Sequence, residues 1–140
     1  MPTWILYAII SMIFAGLTSV IAKFGLKELS SDLGLFVRTC VVFIYVGINA
    51  FFFNDYKQLA NVSSKSLVFL AISGITTSLS WIFYYRAMKL GSVSYVASID
   101  KASIIITLLL SFWLLKEPVT PKILIGGGLI LAGMLVLVWK

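Results

Sequence analysis

The chain has 140 residues, of which 61% are hydrophobic, 14% aromatic and only 11% charged, and its mean hydropathy is +1.07. A soluble domain carries about a quarter charged residues and avoids the large exposed apolar patches this composition would leave. Disordered chains are poorer still in apolar residues. The composition excludes both classes and specifies an integral membrane protein, and by length it forms one bundle rather than two domains.

Histidine is absent and Cys40 is the only cysteine. No intrachain disulfide is possible, no His/Cys set exists for zinc or haem, and no cofactor is expected. The usual general base and thiol nucleophile are missing too, so an enzyme is not expected. The net charge of +6 would suggest nucleic acid in a soluble protein. Here the basic residues sit between apolar runs and form no basic helix face, so lipid headgroups, not nucleic acid, are the expected partners.

A hydrocarbon core about 30 Å thick takes roughly 20 helical residues, and charges divide the chain at that interval. Trp4 to Ala22 is uncharged and ends at Lys23, Lys27 and Glu28. Its start has no positive n-region and its end no small-x-small cleavage pattern, so it is expected to stay as a spanning helix and not to act as a signal peptide. Leu33 to Phe53 follows, broken only by Arg38, and closes at Asn54-Asp55. Ser66 to Tyr85 ends at Arg86 and Lys89, and Lys89-Leu90-Gly91-Ser92 pairs a helix-ending Gly with an N-cap Ser. Val93 to Leu115 contains Asp100 and Lys101, and the prolines of Lys116-Glu117-Pro118-Val119-Thr120-Pro121 stop one helix and start the next. Ile123 to Trp139 completes the set. The expected architecture is an all-α membrane protein of five transmembrane helices, about 4–22, 33–53, 66–88, 93–115 and 122–139, in one domain over 1–140. The runs are continuous rather than alternating, which excludes a β-barrel.

Loop charge is nearly balanced between the two faces. Lys57, Lys65, Lys116 and Lys122 fall on the side of the N-terminus, and Lys23, Lys27, Arg86, Lys89 and Lys140 on the other, with Arg38 added if it snorkels. A rule that works through clear excess gives no firm orientation here.

The C-terminal half carries Trp81-Ile82-Phe83-Tyr84-Tyr85-Arg86-Ala87-Met88-Lys89-Leu90-Gly91, then Leu115-Lys116-Glu117-Pro118, then Ile125-Gly126-Gly127-Gly128-Leu129-Ile130-Leu131-Ala132-Gly133. This order of segments resembles the EamA family of the drug/metabolite transporter superfamily. Ala22-Lys23 and Arg38 also look like the family. Most members carry two inverted five-helix repeats, and this sequence holds one. The resemblance therefore implies that an identical chain, inserted upside down, or a homologous five-helix protein supplies the second, with substrate between the repeats. Similar small multidrug transporters use a carboxylate in their first helix, and this first helix has none.

Asp100 and Lys101 lie about 12 Å along the fourth helix at 1.5 Å per residue. A charge at that depth costs roughly 2.5–3.5 kcal/mol on insertion scales, which marks the pair as candidate substrate contacts. Neighbours on a helix point about 100° apart, so each is expected to need a partner beyond its own helix. The alternative is a purely structural pair that assembles the bundle. Asp100 heads a row with Ser103, Thr107 and Ser111, and the third helix offers Ser73, Thr77, Ser80, Trp81 and Tyr84. The first helix adds Ser11, Ala15, Thr18 and Ala22. These faces either line a cavity or pack helices. Trp81 and Tyr84 can cradle an organic cation or ring, and interfacial anchoring is the alternative for Tyr84 and Tyr85. Arg38 either snorkels to the headgroups or contacts an anionic substrate. Gly126, Gly127 and Gly133 are expected to form a dimer seam.

The function expected is a secondary transporter or exporter of a small polar metabolite or drug-like molecule, most simply in a prokaryotic cytoplasmic membrane. It would act by alternating access in an antiparallel homodimer with dual topology. A non-transporting assembly protein and a lipid-linked flippase subunit are the alternatives.

Overall fold

A computed structural model of the chain describes residues 2–53, 57 and 61–139. The expected stop at Asn54-Asp55, with residues 56 and 58–60, and Lys140 lie outside them. The described residues form α1 (Thr3–Gly25), α2 (Ser31–Phe52), α3 (Ser64–Leu90), α4 (Val93–Lys101), α5 (Ser103–Leu114) and α6 (Pro121–Val138). With α4 and α5 counted as one crossing, Val93–Leu114, five segments are long and apolar enough to span a membrane. The fold class is the one the composition specifies: all-helical, with no strand among the described residues.

Local chemistry sets the helix ends. The Ser30 side chain accepts the Leu33 amide hydrogen at 3.3 Å to start α2, and Thr120 does the same for Ile123 at 3.3 Å, with Pro121 opening α6. Ser92 holds the N-cap position of α4 without a side-chain cap bond. After α5 the chain turns through Lys116, whose φ of 55° lies in the left-handed region that non-glycine residues seldom enter.

The apolar side chains point outward. Phe43 is 79% exposed and Trp113 77%, as expected where hydrocarbon is the solvent and leaves no hydrophobic drive to bury them. The chain divides into two compact units that meet at Leu90–Gly91.

In the first unit α2 packs against α3. The buried hydrophobic residues, Leu26, Tyr85 and Met88, gather where α1 and α3 end and α2 begins. Two lysines are exchanged there. Lys23 on α1 donates to the Met88 carbonyl near the end of α3 at 2.6 Å. Lys89 on α3 donates to the carbonyls of Leu26, Leu29 and Lys27, just past α1, at 2.5, 3.0 and 3.1 Å. The last carbonyls of a helix lack partners in their own helix and carry the negative end of its dipole, so each helix supplies the cation the other needs. Arg86 fixes the start of α2 by a two-pronged contact with Asp32, both distances 3.2 Å. These residues, read from sequence as loop charges, hold three helix ends together.

Leu26 fits because position 34 is glycine: a Cβ on Gly34 would come within 2.6 Å of Leu26 Cδ2. In the second unit α6 contacts both α4 and α5. Gly127 is buried, and its missing Cβ leaves room for Leu108 Cδ1, at 2.8 Å from where that Cβ would lie.

Replacing Gly34 with Val should overpack the Leu26 seat and cost about 1–3 kcal/mol. Gly47→Val in the same helix, where an added Cβ would meet nothing within 4 Å beyond its own stretch of helix among the described residues, should be far milder. Thermal unfolding in detergent compares the two. In the same assay Lys89→Met should cost about 1.5–3 kcal/mol by stripping a charged donor from three carbonyls. Lys27→Met removes only a contact 5.0 Å from the Phe24 ring and should lower the midpoint much less.

Candidate functional site

Two polar places stand out, one in each unit. In the first unit, Thr18, Ala22 and Leu26 from the α1 side, Gly34, Val37 and Arg38 of α2, and Tyr85 of α3 line a groove of about 340 Å³. Arg38 lies against aromatic rings. Its guanidinium carbon lies 4.2 Å from the Trp81 ring centre and 5.8 Å from that of Tyr85. A weakly hydrated planar cation stacks on an aromatic face, which offsets part of the cost of leaving water. Asp32 pairs with Arg86, and Arg38 has no carboxylate at ion-pair distance among the described residues.

Trp81 and Tyr84, expected to act together, face different neighbours. Trp81 underlies Arg38. Tyr84 donates to Ser19 Oγ at 2.8 Å, and Ser19 donates onward to the Ala15 carbonyl at 3.1 Å, tying α3 to α1. Thr77 bonds back to the Ser73 carbonyl at 2.8 Å and Thr18 to that of Phe14 at 2.8 Å. A hydroxyl satisfied by its own helix sits in hydrocarbon at little cost.

In the second unit the fourth crossing is interrupted. The Ala102 amide bonds to Ile99 and the Ile105 amide to Ala102, each at 3.0 Å. This is a local tightening of the kind that marks hinges within helices. Sequence predicts one helix over 93–115, since neither glycine nor proline stands at the break. The interruption falls directly after the charged pair. Helix geometry led to the expectation that Asp100 and Lys101 would face apart. Instead the long lysine stem folds back and Nζ lies 3.3 Å from Asp100 Oδ2. With the helix ended there, the two neighbours satisfy one another. Side-chain exposure of 36% for Asp100 and 67% for Lys101 leaves both open to a further partner. The break also splits the expected polar row: Asp100 ends α4, while Ser103, Thr107 and Ser111 lie on α5. There Thr107 bonds back to the Ser103 carbonyl at 3.0 Å and Ser111 to that of Leu108 at 3.2 Å.

The expected seam glycines also part company. A Cβ added at Gly126 or Gly133 would meet nothing within 4 Å beyond its own stretch of helix among the described residues, whereas one at Gly127 would run into the chain's own Leu108. Gly127 therefore belongs to the packing of α5 on α6.

The groove residue that sequence reading placed elsewhere is Tyr85, taken with Tyr84 as an interfacial anchor although it is 4% exposed. A signal was present. Counting equal distances back from the loop of an antiparallel pair sets Arg38 within about a turn of Trp81, and Asp32 within about a turn of Arg86.

These features sit in a chain with clear relatives. A sequence model described as the EamA-like transporter family matches residues 2–139. A protein of Sinorhizobium sp. described as "Uncharacterized transporter in cobO 3'region" is 33% identical over 135 residues, covering 96% of each chain. No solved structure matches. A match along nearly its whole length, on five apolar crossings, makes this chain an integral membrane protein that belongs to the EamA-like transporter family.

Proposed function

We propose that the chain is a secondary transporter or exporter of a small polar metabolite or drug-like molecule in a prokaryotic cytoplasmic membrane. It works by alternating access, as an antiparallel pair of identical protomers. The observation that carries this reading is the Asp100–Lys101 pair at the interruption of the fourth crossing. Ionised groups at membrane depth are retained where they face a partner or a cavity, and a local tightening of the helix at Ala102 follows the pair. The relative described as a transporter has nearly the same length as this chain, which supports a five-crossing unit completed by a second copy. The open glycines Gly126 and Gly133 lie seven positions apart on one face of α6 and allow another backbone to approach closely.

Capacitive currents from proteoliposomes, screened with organic cations, organic anions and amino acids, test the transport claim. Asp100→Asn and Lys101→Ala should each reduce the current at least tenfold while cross-linked dimer yield stays unchanged. Lost cross-linking, with no current from the native chain, would support an assembly role and overturn the reading.

Gly126→Leu or Gly133→Leu should move the protein from dimer to monomer in detergent. Gly127→Leu should destabilise the α5–α6 packing. A reporter at the C-terminus should be accessible from both membrane faces, and labelling from one face only would rule out antiparallel insertion.

A further inference from the structure

Arg38 is a cation inside a membrane crossing, half-buried, with no carboxylate at ion-pair distance among the described residues. Asp32, the acidic residue of the same helix, is held through both oxygens by Arg86. A lone charge at such a position is costly and is retained where something compensates it. The Trp81 and Tyr85 rings offset part of that cost through the guanidinium face. They leave the N–H edge, whose fork matches a carboxylate in two parallel hydrogen bonds.

The surroundings add two features. Tyr85 is 4% exposed yet lines the groove, and its hydroxyl has no hydrogen-bond partner among the described residues. The other walls, including Ile21, Leu26, Leu29 and Val37, are apolar. At about 340 Å³ the groove is at the small end of ligand sites, which run to roughly 1,000 Å³. One anionic end, one hydroxyl donor and an apolar lining of that size suit a molecule with a single carboxylate on a compact apolar body.

We propose that the groove between the first three helices binds a small amphipathic organic anion, its carboxylate held by the edge of Arg38 and by the Tyr85 hydroxyl. The inference deepens the transporter reading, on which it rests, by naming a substrate class. The guanidinium supplies charge and geometry, and the aromatic rings beneath it fix its plane before the ligand arrives. Arginine is required because an ammonium neither stacks as a plane nor presents a fork.

The test uses the full chain in phosphatidylcholine nanodiscs with Trp4, Trp113 and Trp139 changed to Phe, so that Trp81 alone reports. The probes are 4-phenylbutyrate, its alcohol 4-phenylbutanol and its amine 4-phenylbutylamine, each corrected against protein-free nanodiscs. The carboxylate should change Trp81 emission saturably and bind at least tenfold more tightly than the alcohol or the amine. Arg38→Gln should weaken the carboxylate tenfold or more, Tyr85→Phe several-fold, and Arg38→Lys should restore only part of the loss relative to Gln.

Equal affinity for all three probes would overturn the proposal, as would undiminished binding in Arg38→Gln with Trp81 emission otherwise native. Displacement of the probe by phosphatidylglycerol as readily as by 4-phenylbutyrate would assign the site to a lipid headgroup and overturn it too. The two readings fail separately. Carboxylate binding that depends on Arg38, without any transport current, would sink the transporter reading. Current carried by other solutes, without carboxylate binding, would sink the anion site alone.

Discussion

Hydrocarbon offers no hydrogen-bond partner, and that constraint governs every polar atom of this chain. The backbone meets it by folding into helices, the one open-ended element that satisfies its own amides and carbonyls. The hydroxyls of Thr18, Thr39, Thr77 and Thr107 meet it by bonding to carbonyls one turn back. The ends of helices cannot meet it alone. Lys23 and Lys89 therefore cross between α1 and α3, each donating to carbonyls at or just beyond the other helix's end. Between helices that expose nearly all their large apolar side chains, these charged hydrogen bonds and the Leu26 seat on Gly34 are specific where apolar contact is not.

Against that background the two polar places stand apart because their charge is only partly answered. Arg38 has aromatic faces but no anion among the described residues, and the Asp100–Lys101 pair remains substantially exposed at a break in its helix. In both, the protein bears part of the cost of a charge in lipid without completing its partners. By contrast, the hydroxyls of Thr18, Thr39, Thr77 and Thr107 are each bonded to a carbonyl of their own helix. That contrast separates the candidate site from packing more sharply than residue type does: Thr77 and Thr107 have suitable chemistry, yet their hydrogen bonds are already made within their own helices.

Arg38 and Gly127 both have neighbours that the sequence does not place, for a common reason. Arg38 was read against the choice of headgroup or substrate, but its nearest stabilising surface is Trp81, remote in sequence. Gly127 was grouped with Gly126 and Gly133 by composition, but its environment is decided by Leu108 on a different helix. The folding together of Asp100 and Lys101 turned on a helix interruption that carries neither of the usual punctuating residues.

The sequence by itself determined the solvent and the architecture. Apolar runs of bilayer length separated by charges admit only membrane-spanning helices, because length and hydropathy are sums over local residues. It also showed which ionised groups fall inside those runs, and Pro121 announced the start of its helix through local chemistry. Only the tertiary structure decided which charge meets which partner: Arg86 with Asp32, Lys89 with the end of α1, Arg38 over Trp81, and Tyr85 turned into the groove. Those choices depend on the rotation and depth of one helix against another, set by single contacts such as Leu26 on Gly34, and no local sum contains them.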